Sequence, residues 1–286
     1  MDISVVVCTK DRAKYLPQML ETLRQLRAPG ILWEVVFIDN GSSDSTSDIL
    51  QDFCKNFSMP AQVIRETERG LSAARNTGWK ASLGRIVSFT DDDCYPSQDW
   101  LVSIKRAFED LKADFVGGRV LLFDSNDAPI TIQTSEKTFA FKKYSYIESG
   151  HIMGANFSCT RKMLEATGGF DKRLGAGTNL LSGEDTDLLI RASLSGFEGF
   201  YEPSIVVYHH HRRRLDADVK KLNSGYARGR GALSMKTISE SKAKMLYLRN
   251  WYWRIRILAR EKKFNQCLNE LAGAVRYIAV SKFSKF

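Results

Sequence analysis

Asp91-Asp92-Asp93 stands directly after the apolar run Ile86-Val87-Ser88-Phe89-Thr90, so three carboxylates arrive together at the carboxyl end of a buried strand. Clustered like charges repel and raise one another's pKa unless a cation or a hydrogen-bonding ligand keeps them ionised. A hard, oxygen-only cluster suits Mg²⁺ or Mn²⁺, which complete their coordination with waters and substrate phosphates. The triplet therefore predicts a divalent metal with a phosphorylated ligand; taken alone, it reads equally as a solvated acidic turn. A second acidic pair, Glu184-Asp185, opens a helix. Acidic residues in a first helical turn also complement the macrodipole, so a structural role stands beside a chemical one.

The elements that must position these groups alternate in the first half of the chain. Ile3–Cys8 reads as a strand, and Leu16, Met19, Leu20, Leu23 and Leu26 recur at helical spacing. Trp33–Ile38 is a second strand, followed by a helix that starts near Ser43-Asp44. Gln62–Arg65 predicts a third strand, Ser72–Ser82 a helix and Arg85–Thr90 the strand that ends in the triplet. Such a βαβαβαβ start predicts a mostly parallel, Rossmann-like sheet flanked by helices, with ligands at the carboxyl ends of the strands. Thr9-Lys10-Asp11-Arg12, Asp39-Asn40-Gly41 and the triplet all fall there. Beyond it, a helix is expected over 98–112 and strands over 115–123, 152–159 and 205–208. An exposed loop or hairpin over 124–137 and short helices from Arg161 and Ser182 complete this half.

Composition bounds the rest. At 286 residues and 43% hydrophobic, the chain can build a large core. Five scattered cysteines without a Cys-x-x-Cys pair argue for reduced thiols and against zinc. The expected chain has no secretory signal and no membrane-spanning run, and is cytoplasmic. Its net charge of +9 is unevenly spread: from Ile205 onward, 19 Lys and Arg face 5 Asp and Glu, which leaves the first 204 residues acidic. A basic, mostly helical region over 211–286 is therefore expected to follow a catalytic domain over 1–210, itself divided into 1–112 and 113–210. Within that region Leu248, Trp251, Tyr252, Ile255, Leu258 and Ala259 form one helical stripe, and Phe264, Leu268, Leu271, Val275 and Ile278 a second. These helices pack on the domain, pair in a homodimer, or lie peripherally on the anionic inner face of a membrane.

Five segments, in order, carry a resemblance: Ile3-Ser4-Val5-Val6-Val7-Cys8-Thr9-Lys10-Asp11-Arg12, Val35-Val36-Phe37-Ile38-Asp39-Asn40-Gly41-Ser42-Ser43-Asp44, Gly70-Leu71-Ser72-Ala73-Ala74-Arg75-Asn76, Asp91-Asp92-Asp93 and Gly183-Glu184-Asp185-Thr186-Asp187. They resemble the motifs of family 2 glycosyltransferases with the GT-A fold, here with a C-terminal helical extension. The resemblance implies a metal-dependent, inverting transfer of a sugar from a nucleoside diphosphate sugar, usually UDP-linked, to an acceptor hydroxyl on a saccharide. It puts Asp39 on the uracil imide, where an Asx-turn or helix cap is the structural alternative, with Thr9, Asp11 and Arg12 flanking the base and ribose. Arg75 becomes a candidate for the diphosphate, or else an ordinary helix arginine. Asp91 and Asp93 match the Asp-x-Asp motif, Asp91 mainly on the ribose but also a metal candidate and Asp93 on the metal, with Asp92 between them in the donor site. Asp185 becomes the base, with Glu184 beside it.

A histidine ligates the metal in some members of that family, which makes His209 and His211, alternating along an extended chain, the candidates here. The alternative is a solvated patch continuing into Arg212-Arg213-Arg214, a run that could also clamp the diphosphate. Met153-Gly154-Ala155-Asn156-Phe157 and Gly168-Gly169-Phe170 resemble the segments between donor and base, and Trp100 is placed either on a sugar ring or in the core. A phosphotransferase is disfavoured because Asp91-Asp92-Asp93-Cys94-Tyr95 lacks the Thr or Val that follows such enzymes' Asp-x-Asp. A nucleic-acid partner is not expected, since no such motif accompanies the basic tail.

Overall fold

A computed structural model of the protein describes residues 1–283; residues 284–286 of the expected C-terminal region lie outside the described residues. The first half builds as its periodicity dictates: β1 (Ile3–Thr9), α1 (Leu16–Arg24), β2 (Trp33–Asp39), α2 (Thr46–Asn56), β3 (Ala61–Arg65), α3 (Leu71–Ala81) and β4 (Ile86–Asp91). Then come β5 (Cys94–Pro96), α4 (Trp100–Leu111), β6 (Phe115–Leu122) and β7 (Phe139–Phe141). After a single 3₁₀ turn (Gly154–Asn156) follow β8 (Phe157–Thr160), α5 (Arg161–Thr167), α6 (Glu184–Leu194) and β9 (Gly199–His209). Three helices close the chain: α7 (Asp216–Glu240), α8 (Lys244–Arg260) and α9 (Phe264–Phe283).

One nine-stranded sheet runs β3-β2-β1-β4-β8-β6-β9-β5, with β7 also paired to β9. The β3-β2-β1-β4 half is parallel throughout, and β6 pairs β9 parallel. Strand β8 enters antiparallel between β4 and β6, and β5 and β7 meet β9 antiparallel. Alternate residues of β1 and β2 feed two cores. Val5, Val7, Val35 and Phe37 meet α1, α2 and α4 on one face, and Val6, Val36 and Ile38 face the other. The second core also holds Ala232, Leu233, Tyr247 and Tyr277, so α7, α8 and α9 pack on the catalytic body.

Several boundaries depart from the sequence reading. The strand expected over 152–159 is broken, because Gly154–Asn156 turns as 3₁₀ before β8 begins. The segment expected over 205–208 belongs to an eleven-residue strand. The longest helix, α7, carries no stripe of large apolar residues: its buried positions are Ala227, Gly229, Gly231, Ala232, Leu233, Lys236 and Thr237. Small residues there allow close backbone approach. A Cβ on Gly231 would strike the backbone of Glu270, and one on Gly273 the carbonyl of Arg228. On α9 the apolar stripe faces outward, with Phe264, Leu268, Leu271, Val275 and Ile278 all exposed. No described helix is long and apolar enough to cross a membrane.

Candidate active site

A cleft of about 780 Å³ opens where the carboxyl ends of β1 and β4 meet the start of α6. Its lining includes Thr9, Arg12, Asn40, Arg75, the whole triplet, Met153-Gly154-Ala155, Glu184, Asp185, His209 and Arg213. The parallel register explains the convergence, since Thr9 pairs with Asp39 and Cys8 with Asp91, which brings three strand ends to one rim.

Two arginines organise the carboxylates. Arg75, buried on α3, donates from Nη2 to Asp91 Oδ1 at 3.1 Å and from Nη1 to Glu184 Oε1 at 3.0 Å. It thus ties the triplet to the acidic start of α6. Burial opposes its charge, but Asp91 and Glu184 outweigh that and hold its pKa above the usual value. A Cβ on Gly154 would meet this guanidinium at 2.6 Å, so the glycine leaves the room the clamp needs. Arg12 bonds Asp92 through Nε at 3.0 Å and Asp93 through Nη2 at 2.7 Å.

The members of the triplet differ in environment. Burial pushes the Asp92 carboxyl up to about 6 even though Arg12 pulls the other way. Burial would raise Asp93 too, but His209 and Arg12 prevail and hold it down at about 2. His209 Nε2 lies 3.3 Å from Asp93 Oδ1, while Nδ1 faces the Thr131 carbonyl at 3.2 Å. A carbonyl behind a histidine fixes the tautomer that leaves the other nitrogen for a cation. His209 is itself held more basic than usual, with Asp93 overcoming the effect of burial.

Ligand atoms of Asp93, Cys94 and His209 lie within 4.8 Å of one another, the group among the described residues that could hold a metal. Cys94 is brought there by its register opposite His209 in the β5–β9 pair. An imidazole beside a carboxylate and further acidic oxygens fits a divalent first-row ion. Asp91 stands apart from this group, engaged by Arg75. His211 is withdrawn from it altogether: Nε2 meets the Ala128 carbonyl at 3.0 Å and Nδ1 accepts the Arg213 N–H at 3.0 Å, so both nitrogens are occupied. Buried Asp127 anchors the same stretch by accepting from the Arg212 N–H and from Arg214 Nε. Of the basic run, Arg213 lines the cleft, whereas Arg212 lies over the Tyr15 ring.

The remaining sequence candidates divide. Asp39 is fully buried; Oδ1 accepts the Ser42 N–H, while Oδ2 has no hydrogen-bond partner among the described residues. Asp11 is exposed and ties the β1–α1 loop to Ser43 instead of lining the cleft. Asp185 lines the cleft with Oδ2 accepting the Gly154 N–H at 3.0 Å and Oδ1 the Thr186 N–H at 2.6 Å. Burial first, and then the Asp185 charge, raises the pKa of neighbouring Glu184 against the pull of Arg75. Trp100 does not stack on a ligand: it is fully buried and donates from Nε1 to Asn156 Oδ1. Sequence reasoning missed Cys94, and it missed Asn223, Tyr226, Arg230 and Arg254, which form the wall opposite the strand ends. The i, i+3, i+7 spacing of Asn223, Tyr226 and Arg230 was a readable sign of one polar helix face.

These features define a GT-A fold: a sheet flanked by helices with an acidic cleft at its strand ends. The chain belongs to glycosyl transferase family 2, whose model matches residues 4–168. It is 27% identical over 207 residues to the glycosyltransferase AglE of Haloferax volcanii, covering 72% of this chain and 66% of that protein. Against the pre-mycofactocin glycosyltransferase of Mycobacterium tuberculosis identity is 28%, over 75% of this chain and 44% of the relative. The chain thus spans less than two thirds of these relatives' length. Among solved structures, S. aureus TarS residues 1–349 with UDP-GlcNAc superposes with a TM-score of 0.65 at 17% identity, over 86% of this chain and 69% of that one. The mannosyltransferase PcManGT of Pyrobaculum calidifontis, solved with GDP-Man and Mn²⁺, gives 0.64 at 18%, over 96% and 86%.

Proposed function

We propose that the protein is an inverting glycosyltransferase that moves a sugar from a nucleoside diphosphate sugar, UDP-linked, to a hydroxyl of a lipid-linked or growing saccharide. The observation that carries this reading is the meeting of the triplet, Arg75, Glu184 and Asp185 in one cleft at the strand ends. Asp39 Oδ2, buried and unpartnered beside cleft-lining Asn40, is an acceptor suited to a base N–H. Asp93 and His209, with Cys94 and Asp92 adjacent, would hold Mn²⁺ or Mg²⁺, which when bound supplies charge neutralisation at the leaving diphosphate. Arg213 is placed to meet the same diphosphate.

The chain's own residues then account for the transfer. Asp185 accepts the proton of the acceptor hydroxyl as its oxygen attacks the anomeric carbon, and the bond from that carbon to the diphosphate oxygen breaks on the opposite face. Backbone N–H groups of Gly154 and Thr186 fix the Asp185 carboxylate; Oδ1 also accepts from the Thr186 hydroxyl at 3.3 Å, while Oδ2 keeps a second lone pair for the incoming proton. The exposed stripe of α9, flanked by cationic Arg260, Lys263 and Arg276, supports peripheral contact with an anionic membrane, and a homodimer across the same face is the competing reading. A turnover assay with purified protein and a panel of nucleotide sugars tests the function. Products of inverted anomeric configuration are expected, and retained configuration contradicts the single displacement.

A further inference from the structure

The wall of the cleft facing the strand ends has a chemistry that a neutral sugar does not require. Asn223, Tyr226 and Arg230 share one face of α7, and Arg254 of α8 joins them along the lining. A gradient runs along that face. Tyr226 feels the charges of Arg213 first and then of Asp185, Asp91 and Glu184, whereas the charged groups acting on Arg230, one turn on, are Arg254 and Glu270. The two arginines thus line the same cleft as Glu184 and Asp185, with Glu270 as their acidic partner.

Glu270 of α9 fixes them. It is fully buried, and its Oε1 accepts from Arg230 Nε at 3.2 Å and from Arg254 Nε at 2.8 Å, while Oε2 accepts from Trp251 Nε1 at 3.1 Å. Two guanidiniums thus share one carboxylate, which leaves an excess positive charge at the cleft. Each donates to Glu270 through its Nε, and among the described residues no Nη of Arg230 or Arg254 makes a hydrogen bond. Adjacent guanidinium forks with unused Nη donors match the oxygens of a phosphate. Burial and the proximity of Arg254 lower the Arg230 pKa, a cost that a bound anion would offset.

We infer that Arg230 and Arg254, oriented by Glu270, form a phosphate subsite on the acceptor side of the cleft, so that the acceptor carries a phosphate or diphosphate. Tyr226, one turn before Arg230 and within reach of the Asp185 charge, can direct the reacting hydroxyl. This rests on the glycosyltransferase reading above and adds the acceptor's chemical class. The phosphate can belong to a lipid carrier or to a soluble glycosyl phosphate.

The test is calorimetry on the full chain saturated with UDP and Mg²⁺, titrated with farnesyl phosphate, farnesol, glucose 1-phosphate and glucose. Farnesyl phosphate should bind at least tenfold tighter than farnesol. Binding of glucose 1-phosphate but not glucose would show that the phosphate suffices, while binding of farnesyl phosphate alone would make the source a lipid carrier; either supports the subsite. R230Q and R254Q should each weaken the phosphate ligands about tenfold while UDP affinity moves less than twofold, and R230K should recover most of the loss. Farnesyl phosphate no tighter than farnesol overturns the subsite, and that comparison needs no variant. A loss of UDP affinity in R230Q equal to the loss of phosphate affinity would reassign the arginines to the donor and overturn it equally. Failure of the wild-type protein to bind UDP would instead strike at the donor reading beneath it.

Discussion

The two walls of the cleft are built by opposite means. On the strand side, parallel β1, β2 and β4 bury both faces with Val, Ile and Phe, and their ends deliver Thr9, Asp39 and Asp91 in register. On the helix side, α7 and α9 meet through Gly231 and Gly273, and α7 holds the body through buried Lys236. Lys236 contacts Asp187 of α6 and lies 3.1 Å from Asp171, in a network that Arg173 and Glu240 extend. The strand wall is held by apolar burial, and the helix wall adds close backbone contact and ion pairing to its apolar anchors Ala232, Leu233, Tyr247 and Tyr277. On the proposed function, the donor side thus stands on apolar burial and the acceptor side on a support that depends on charge.

The largest effect expected to break this comparison is chemical. Asp185→Asn keeps the shape and the Gly154 contact but removes the proposed base, so kcat should fall by about 10²–10⁴-fold with UDP affinity unchanged. Proportional loss of UDP binding would move Asp185 to the donor side.

The next effect falls on the helix wall. Lys236→Ala leaves Asp187 and Asp171 buried with a weakened counter-charge, and denaturant unfolding should show a loss of about 3–5 kcal/mol. Asp187 keeps Arg191 and Asp171 keeps Arg173, which favours the lower end of that range. A loss below the range would mean that the buried lysine is not a principal anchor of α7.

How far each wall could be read from the residues follows from the same contrast. Period-2 and period-3.6 apolar patterns announce strands and helices that bury large side chains, so the elements that carry the triplet, Asp39 and Asp185 were legible. Helix α7 was not, because Ala227, Gly231, Ala232 and Lys236 do not look like a core face until their partners are known. Trp100 was ambiguous because an aromatic next to a site is the same residue whether it packs or stacks. Its indole bond to Asn156 decides for packing. His209 and His211 were equivalent by alternation; only the β9 register and the 124–131 loop separate a nitrogen facing Asp93 from two nitrogens already bonded. Arg75 was expected near a diphosphate, and its two bonds across Asp91 and Glu184 span a sequence separation that no local pattern reveals.

A smaller effect should come from overpacking. Gly231→Ala puts a methyl into the Glu270 backbone and should cost about 1–3 kcal/mol, measured as a lower unfolding midpoint. Because Glu270 also orients Arg230 and Arg254, acceptor KM should rise while donor KM holds. Equal rises in both would erase the distinction between the walls.

The smallest effect is on pH. Asp171 is held below the usual carboxylate range, where bonds and charge from Arg173 and Lys236 overcome burial, and Glu240 is also lowered. Both contribute stability that is fully present above their unfolded pKa values and lost as pH falls through the folded ones. The helix wall should therefore loosen below about pH 4, the unfolded carboxylate range, before the apolar strand wall does. Hydrogen exchange at pH 3 checks this, with amides of α7 and α9 expected to lose protection before those of β1 and β2.

The central claim, that the triplet and its neighbours bind a nucleoside diphosphate together with a divalent ion, is tested most directly by UDP calorimetry with Mn²⁺ and with EDTA on the wild type and on Asp93→Ala. Wild-type affinity should be at least tenfold higher with Mn²⁺, and Asp93→Ala should lose that dependence while its melting curve stays cooperative. Equal UDP affinity with Mn²⁺ and with EDTA in the wild type would contradict it.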